Sequence, residues 1–597
     1  MKLGVGIGKS YAYLIPLMLY YNKTNKPFII STSTIALQEQ LQKDIATLNS
    51  IFNWNVPSII AKGRTHYICR KKVTDLELIR ELDKEPSNID RVNYDKFNDY
   101  EWNKININKC EFRECEYYNS CYFIELREKI RTFQGAIICN HDLLFENQKR
   151  KNDYRRLLLP NVKFIVLDEA HNLEEKGRNS FKENITLQGC REIINTAQVI
   201  LSRFNYYDIE NIEIAHNSIS RIFEILEQQV KQQVQEAIQE NRIISGNDLE
   251  ICKVFNTLEL MKYSSNLYSA VQNMDIYLQS QDYGNSEDVD NLISDLEKIE
   301  DIFGNLKELD SENIFWIDNK RKIVLNTCSK YVSDQINEVL FKDKDSIKIL
   351  TSATLNTSNK DEELYEYYTN NVGLRVNNEL FLSEPKKSPF DYENNMICYC
   401  CKDITAPNGE HDDYIRDITR KIIELLNITK GKTLILFTSK ADMRLVYDNL
   451  RKENLPYELL VQKDGASQNS TKEEFKDNIN SVLLSTGSFW EGIDIKGKSL
   501  SNVIIVRLPF PIPDPIIEYK CSVVDNNEKV LIPEMKIKLK QGIGRLIRGK
   551  DDTGIISILD SRIERHLNKV LECIPTSNIT YDIEDVKKFV TEKNIAD

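Results

Sequence analysis

Lys163-Phe-Ile-Val-Leu167 runs directly into Asp168-Glu169-Ala170-His171. Four apolar residues in succession read as a strand buried on both faces, the form that strands take inside a parallel sheet. Two carboxylates at the end of such a strand can divide the work of phosphoryl transfer. One supports the shell of a Mg²⁺ ion, and the other orients and deprotonates the attacking water. Asp168 and Glu169 fit these roles. Asp-Glu pairs also cap helices, so the reading needs a phosphate cradle elsewhere in the chain. Gly4-Val-Gly6-Ile-Gly8-Lys9-Ser10 supplies one. Gly4, Gly6 and Gly8 let backbone N–H groups converge on a phosphate, Lys9 meets the β- and γ-phosphates, and Ser10 takes a place on Mg²⁺. Leu3 stands where the full loop pattern has glycine, and no strand precedes the loop.

A third element lies far downstream, Gln541-Gly-Ile-Gly544-Arg545-Leu-Ile-Arg548. Arginines spaced i, i+3 on a helix share a face. From there they can reach across a cleft and neutralise charge on a γ-phosphate. A solvated basic helix face is the alternative, and the order of the three motifs favours catalysis.

Length and composition set the frame. A chain of 597 residues allows roughly three to five domains. Lys+Arg total 79 and Asp+Glu 91, a net charge of −12, with 41% apolar and 28% charged residues. This is globular composition, which excludes collagen-like, disordered and multispanning classes. The acidic total argues against coating nucleic acid through bulk charge and leaves room for a local basic groove. Leu14–Tyr21 is apolar but short, contains Pro16 and lacks a small-residue cleavage site. Neither a signal peptide nor a membrane span is expected, and the protein reads as cytoplasmic.

Two blocks read as α/β. The first carries the runs Phe28-Ile-Ile30, Ala136-Ile-Ile138 and Phe164–Leu167. The second, from about 395 onward, carries Thr433–Phe437, Val482–Leu484, Val503–Val506 and Ile555–Leu559. Two insertions interrupt the first block. Residues 62–130 are rich in Cys, Asn and charge. Residues 176–330 read as helical, with Ile222, Leu226, Val230, Val234 and Ile238 at every fourth position and a second stripe from Val289 to Leu306; both stripes are expected to be packing cores.

In this order the motifs resemble superfamily 2 helicases of the DinG/XPD-like DEAH branch. Gly8-Lys9-Ser10-Tyr-Ala-Tyr-Leu-Ile-Pro16 is similar to motif I, Ser31-Thr-Ser-Thr34 with Leu37–Leu41 to motif Ia, and Cys139-Asn-His141-Asp-Leu-Leu to the family's Asn-His-x-Leu-Leu segment. Thr351-Ser352-Ala353-Thr354 resembles motif III, Ser388-Pro-Phe390 a signature after it, and Leu436-Phe437-Thr438-Ser439 motif IV. Gly487-Ser-Phe-Trp490-Glu491-Gly492-Ile-Asp494 with Arg507–Pro511 resembles motif V and its extension. The resemblance implies an α/β fold of two RecA-like parallel-sheet motor domains, with an iron-sulfur insertion and a helical arch insertion in the first. The first motor would comprise 1–61, 131–175 and 331–394, N-terminally incomplete; 62–130 would be the cluster domain, 176–330 the arch and 395–597 the second motor.

Cys69, Cys110, Cys115 and Cys121 leave gaps of 40, four and five residues. Four thiolates gathered in a cytosolic protein imply Zn²⁺ or an iron-sulfur cluster, and spacing alone leaves both open. The resemblance implies a 4Fe-4S cluster. Lys62-Gly-Arg64-Thr-His-Tyr67-Ile-Cys69-Arg70-Lys71-Lys72 sets basic residues and a ring around the first thiolate, suiting a single strand. Lys62, Arg64, Tyr67 and Arg70 are candidate DNA contacts on that ground, and Thr34, Thr438 and Ser439 through the resemblance. Asp494 joins the nucleotide-binding set, while His171, Ser352, Ala353 and Thr354 are expected to couple hydrolysis to movement.

The expected activity is a monomeric ATP- and Mg²⁺-dependent DNA helicase moving 5′→3′ on single-stranded and forked DNA, in repair or replication. RNA–DNA hybrids are a further candidate substrate. The alternative is a non-catalytic DNA-binding remnant, because the chain lacks the segment that precedes the loop in the family.

Overall fold

The apolar run at Phe28 opens β1 (Phe28–Thr32), buried at every residue. In the computed structural model β1 has parallel neighbours on both sides. The description covers residues 8–596 except 95–96, 109, 111–114, 153–154, 205, 207, 240–248, 283–286, 309–310, 321, 358–363, 376–379, 385, 387, 408, 462–467, 491–496 and 498. Gly4, Gly6 and Asp494 lie outside the described residues. β2 (Ser58–Ala61) and β3 (Ala136–Asn140) extend the sheet on one side of β1, and β4 (Phe164–Asp168) adjoins it on the other. Leu14, Leu17 and Met18 of helix Lys9–Thr24, and Leu41, Ile45 and Leu48 of helix Ile35–Phe52, pack on Phe28, Ile30, Ile138 and Val166. The i, i+3, i+4 and i, i+4, i+7 spacings put each set on one helix face.

Residues 177–335 and 512–530 form a second compact unit. Its core gathers helices Leu187–Arg203, Ile209–Gln239, Leu258–Gln279 and Glu287–Leu306. It also holds an antiparallel sheet absent from the sequence reading: β5 (Glu183–Ile185), β6 (Ile251–Lys253), β7 (Asn313–Asn319) and β8 (Ile323–Ser329), in the order β5-β8-β7-β6. Helix Pro515–Ser522, which the sequence assigns to the second motor, packs on β7, with Glu518 2.9 Å from Lys253. The Val289–Leu306 stripe is core as expected. The other stripe fades along its helix: Ile222, Leu226 and Val230 are buried, but Ile238 is exposed. An exact four-residue repeat drifts by about 40° per step in a helix of 3.6 residues per turn, so its last member has turned away from the core.

β9 (Ile347–Thr351) returns to pair with β4, completing a five-stranded parallel sheet in the order β2-β3-β1-β4-β9. A second parallel sheet follows, built from β10 (Met396–Cys401), β11 (Thr433–Phe437), β12 (Leu459–Val461), β13 (Val482–Thr486), β14 (Asn502–Ile505), β15 (Gly554–Leu559) and β16 (Ile579–Thr580). Its order is β12-β13-β11-β14-β15-β10-β16. Cys398 and Cys400 face one core layer of this sheet and Cys401 the other, as strand alternation requires. Both sheets belong to one compact unit. In open parallel sheets ligands bind beyond the carboxyl ends of the strands, and in the first sheet Asp168 and Glu169 at the end of β4 and Ser352 after β9 lie there. No helix among the described residues is long and apolar enough to cross a membrane.

Candidate active site

β4 ends at Asp168, and the chain turns at once. Glu169 takes a left-handed conformation, φ 51° and ψ 45°, which costs a non-glycine residue on the order of 1 kcal/mol or more. Gly8, also left-handed at φ 71°, starts helix Lys9–Thr24. The two turns bring Lys9 between the acids: its ammonium hydrogen-bonds Glu169 Oε1 and lies 3.3 Å from Asp168 Oδ1. Burial alone would lower the Lys9 pKa, but Glu169 and Asp168 outweigh it and hold the lysine above its ordinary value. Burial pushes Glu169 upward, yet Lys9, then His171 and, more weakly, Arg545 together bring it to about 2. Asp168, deeper in the fold, is raised by burial. Its Oδ1 is buried with no hydrogen-bond partner closer than the Lys9 ammonium at 3.3 Å. A buried carboxylate oxygen whose facing charge is a displaceable ammonium fits the hard-oxygen set that Mg²⁺ takes.

The acidic turn is braced on its far side. The Tyr368 hydroxyl donates to the Ala170 carbonyl at 2.8 Å. His171 Nδ1 lies 2.7 Å from Ser352 Oγ and 3.4 Å from Glu169 Oε2. Ser352 Oγ also accepts the Thr354 N–H at 3.1 Å. His171 therefore joins the acidic turn to the end of β9. A pair the sequence reading quoted but gave no role lies beside it: Ser31 Oγ meets His141 Nδ1 at 2.8 Å in the interior. Burial lowers the His141 pKa to about 3, so the ring is neutral.

From the second sheet comes helix Glu528–Ile543, and the expectation that Arg545 and Arg548 share a helix face is corrected here. The helix ends at Ile543, and both arginines follow it. Two glycines weaken the last turn, and Asp552 accepts the Arg548 and Gly549 N–H groups at 2.8 and 2.7 Å, fixing a turn instead. Arg545 Nε donates to the Trp490 carbonyl at 3.0 Å, and its charge is felt at Glu169. Arg548 is felt at Tyr392. Gln541, the last of the three, is buried with its Nε2 unpartnered. Gly542 is required beside it: a Cβ there would meet the Trp490 ring at 2.8 Å.

The candidate DNA contacts divide. Lys62 is only 5% exposed and pairs with Asp90 at 2.6 Å, and Tyr67, 3% exposed, packs against Phe123. Neither can meet a strand; a buried lysine is tolerable only because the carboxylate 28 residues away compensates it. Arg64 is exposed, whereas Arg70 pairs with Asp83 at 3.1 Å and lies over the Tyr117 ring. Thr34 and Ser439 cap helices by accepting the Leu37 and Asp442 N–H groups, at 3.3 and 3.2 Å. Each hydroxyl still has a hydrogen to donate. Thr438, half-buried, sits just after β11.

Cys69, Cys110 and Cys121 border one small core built on Tyr67, Trp102 and Phe123, and the Cys115 carbonyl accepts the Tyr118 N–H nearby. Among the described residues no group of three or more His, Cys, Asp or Glu side chains is arranged to hold a metal ion. Cys69, Cys110 and Cys121 thus share one lobe.

Two parallel α/β sheets whose residues contribute to one cation–carboxylate cluster are the architecture of paired RecA-like domains. Residues 422–576 match the helicase C-terminal domain family. The chain is 26% identical to the Haemophilus influenzae ATP-dependent DNA helicase YoaA, over 99% of this chain and 92% of that protein. It is 27% identical to the Photobacterium profundum ATP-dependent DNA helicase DinG, over 96% and 91%. The Bacillus subtilis protein named 3′-5′ exonuclease DinG is 25% identical over 96% of this chain and 68% of its own. The fold is similar to that of Xpd4 from S. tokodaii, with TM-score 0.55 and 14% identity over 97% and 94% of the two chains. An XPD helicase structure gives 0.56 and 17% over 97% and 95%. The chain is thus similar in sequence to DinG- and YoaA-type helicases and in fold to XPD.

Proposed function

We propose that the protein is an ATP-dependent DNA helicase that moves 5′→3′ along single-stranded DNA and opens forked duplexes. The observation that carries this reading is Lys9 held between Asp168 and Glu169, with Arg545 of the second sheet acting on the same carboxylate. An incoming triphosphate competes for Lys9. Once Lys9 turns to the phosphates, Glu169 loses the neighbour that most depresses its basicity and can take a proton from water. Ser10 and Asp168 would hold Mg²⁺, which when bound neutralises charge on the phosphates. Gln541, Arg545 and Arg548 act from the second sheet, and the field of Arg545 at Glu169 supports a transition-state role for that arginine. Through its contact with Ser352, His171 passes the change to Ser352-Ala353-Thr354. The strand track draws on Thr34, Thr438 and Ser439, with Arg64 as the exposed cation of the 62–130 lobe.

The test is ATP hydrolysis with and without single-stranded DNA, comparing wild type with Glu169→Gln, alongside unwinding of 5′- and 3′-tailed duplexes. Glu169→Gln should lose about 10³-fold in kcat. Equal rates would sink the catalytic assignment, and preference for the 3′ tail would reverse the polarity. A wild type that binds DNA without hydrolysing ATP supports the alternative, a non-catalytic DNA-binding protein. Roles in repair or replication, a monomeric state and action on RNA–DNA hybrids belong to the same proposal.

A 4Fe-4S cluster on Cys69, Cys110, Cys115 and Cys121 is proposed on the spacing and the family likeness, and no step above depends on it. Anaerobically purified protein should show visible charge-transfer absorbance. Stoichiometric zinc without such a band overturns the assignment.

A further inference from the structure

The helix that ends beside Gln541 makes a second link to the first sheet, separate from the nucleotide residues. Lys536, 4% exposed, donates to the Thr357 carbonyl at 3.0 Å and to Glu572 at 2.5 Å. One turn later Lys540 donates to Asn356, to its carbonyl at 3.2 Å and its side-chain oxygen at 3.5 Å. An i, i+4 spacing puts both ammonium groups on one face of helix Glu528–Ile543. Asn356 and Thr357 follow Ser352-Ala353-Thr354 by two and three residues on the first sheet's side. Glu534 on the same helix accepts the Tyr367 hydroxyl at 2.5 Å, and Tyr367 precedes Tyr368, which braces Ala170.

The two lysines are not equivalent. Lys536 keeps a carboxylate partner, Glu572, on its own side of the link. The hydrogen-bond acceptors of Lys540 come from Asn356. Withdrawing an ammonium from water is costly unless acceptors replace the lost hydration, so any separation of helix and segment strips the half-buried Lys540 first. Burial already lowers its pKa, in keeping with a cation that depends on those acceptors. Lys540 is also the residue before Gln541, so movement of one moves the other.

We propose, on the helicase reading above, that Lys540, supported by Lys536, is a positioning residue that ties the helix bearing Gln541 to the segment bearing Ser352-Ala353-Thr354 and transmits nucleotide-linked movement between the two sheets. Lys540→Met keeps the aliphatic stem and removes the cation. In the full chain it should lower the kcat of DNA-stimulated ATP hydrolysis about tenfold while the KM for ATP changes less than about twofold. Lys540→Arg should restore most of the rate. Independently of hydrolysis, amide exchange over residues 352–357 should rise in nucleotide-free Lys540→Met and return toward wild type in Lys540→Arg. Unchanged exchange and kcat overturn the proposal, as does a KM that rises in step with the loss of kcat, the mark of a nucleotide contact. Lys540→Gln replaces Lys540→Met if the latter does not fold. A wild type without DNA-stimulated hydrolysis sinks the helicase reading alone, because the exchange comparison still decides the link.

Discussion

The carboxyl edges of the two parallel sheets use the same residue types and leave them in opposite states. At the first edge Lys9 is divided between two acids, and Asp168 Oδ1 is buried without a hydrogen-bond partner. At the second, Asp442 accepts from Arg507 at 2.9 Å and faces His411 at 3.1 Å, with the Arg507 guanidinium over the Tyr414 ring. Asp560, fully buried, takes the Leu508 N–H at 2.7 Å and a two-nitrogen grip from Arg562. A buried polar atom left unsatisfied costs about 1–3 kcal/mol, and a fold keeps that cost where something outside the chain relieves it. The first edge is therefore built for a ligand. The second is built to hold itself together.

Two arginines break the comparison if it is wrong. Arg545→Ala should reduce DNA-stimulated kcat by about 10³-fold with the melting temperature nearly unchanged, and Lys should not rescue it, because a point charge does not replace the planar fork. Arg507→Met should do the reverse. It leaves the buried Asp442 without its main cation and should cost about 3 kcal/mol, read as a fall in the denaturant midpoint, while kcat per folded molecule stays within about twofold. Asp442→Asn on top of Arg507→Met should recover much of the loss. The pair of results fails together if both variants lose stability equally.

The first edge also responds to acid. His141, buried just after β3, has a pKa of about 3 against an ordinary 6.5, chiefly through burial. Between those two values the unfolded chain binds a proton at His141 and the folded chain does not. That contribution is complete above pH 6.5 and is lost as pH falls below it, at up to about 1.4 kcal/mol per pH unit. His141→Gln should flatten the stability profile from pH 6.5 downward, by about 2 kcal/mol at pH 5. Parallel profiles for wild type and His141→Gln would refute the assignment.

The parts that the structure brings together around Lys9 were legible in sequence because they are local: a strand ending in two acids, a glycine turn before a lysine, a Gln-x-x-x-Arg run. Its failures were those of partners distant in the chain. Nothing at Lys62 announces Asp90, and nothing at Tyr67 announces Phe123, so a buried pair and a core ring read as a DNA-binding surface. The i, i+3 spacing of Arg545 and Arg548 assumed a helix that Gly542, Gly544 and the Asp552 turn end early. Strands β5 to β8 escaped because three-residue strands and a hairpin carry too little alternation to stand out between long helices. Nothing in the sequence singles out Lys536 and Lys540, since a helix pattern does not say what will lie against its charged side.

If an unsatisfied buried group marks a ligand site at the first edge, the same state elsewhere should be mere cost, and Glu300 provides that control. It lies on helix Glu287–Leu306 with Oε1 buried and unpartnered, and Asp275, 6% exposed, also leaves an oxygen without a partner. Burial, then Asp275, raises the Glu300 pKa to about 7 from an ordinary 4.5. Between these values the folded chain holds a proton that the unfolded chain has released, so stability falls as pH rises from 4.5 to 7. Glu300→Gln removes the charge and keeps the shape. Above pH 7 it should stabilise the second unit by no more than about 1 kcal/mol, allowing for solvent screening, a rise of roughly 2–4 °C in its melting transition. Below pH 4.5 the variant and wild type should coincide, and ATP hydrolysis should be the same at both. Glu300 would instead belong to a site if the substitution lowered DNA-stimulated hydrolysis without lowering the melting temperature, and an unsatisfied buried oxygen would then point to function in both units of the chain.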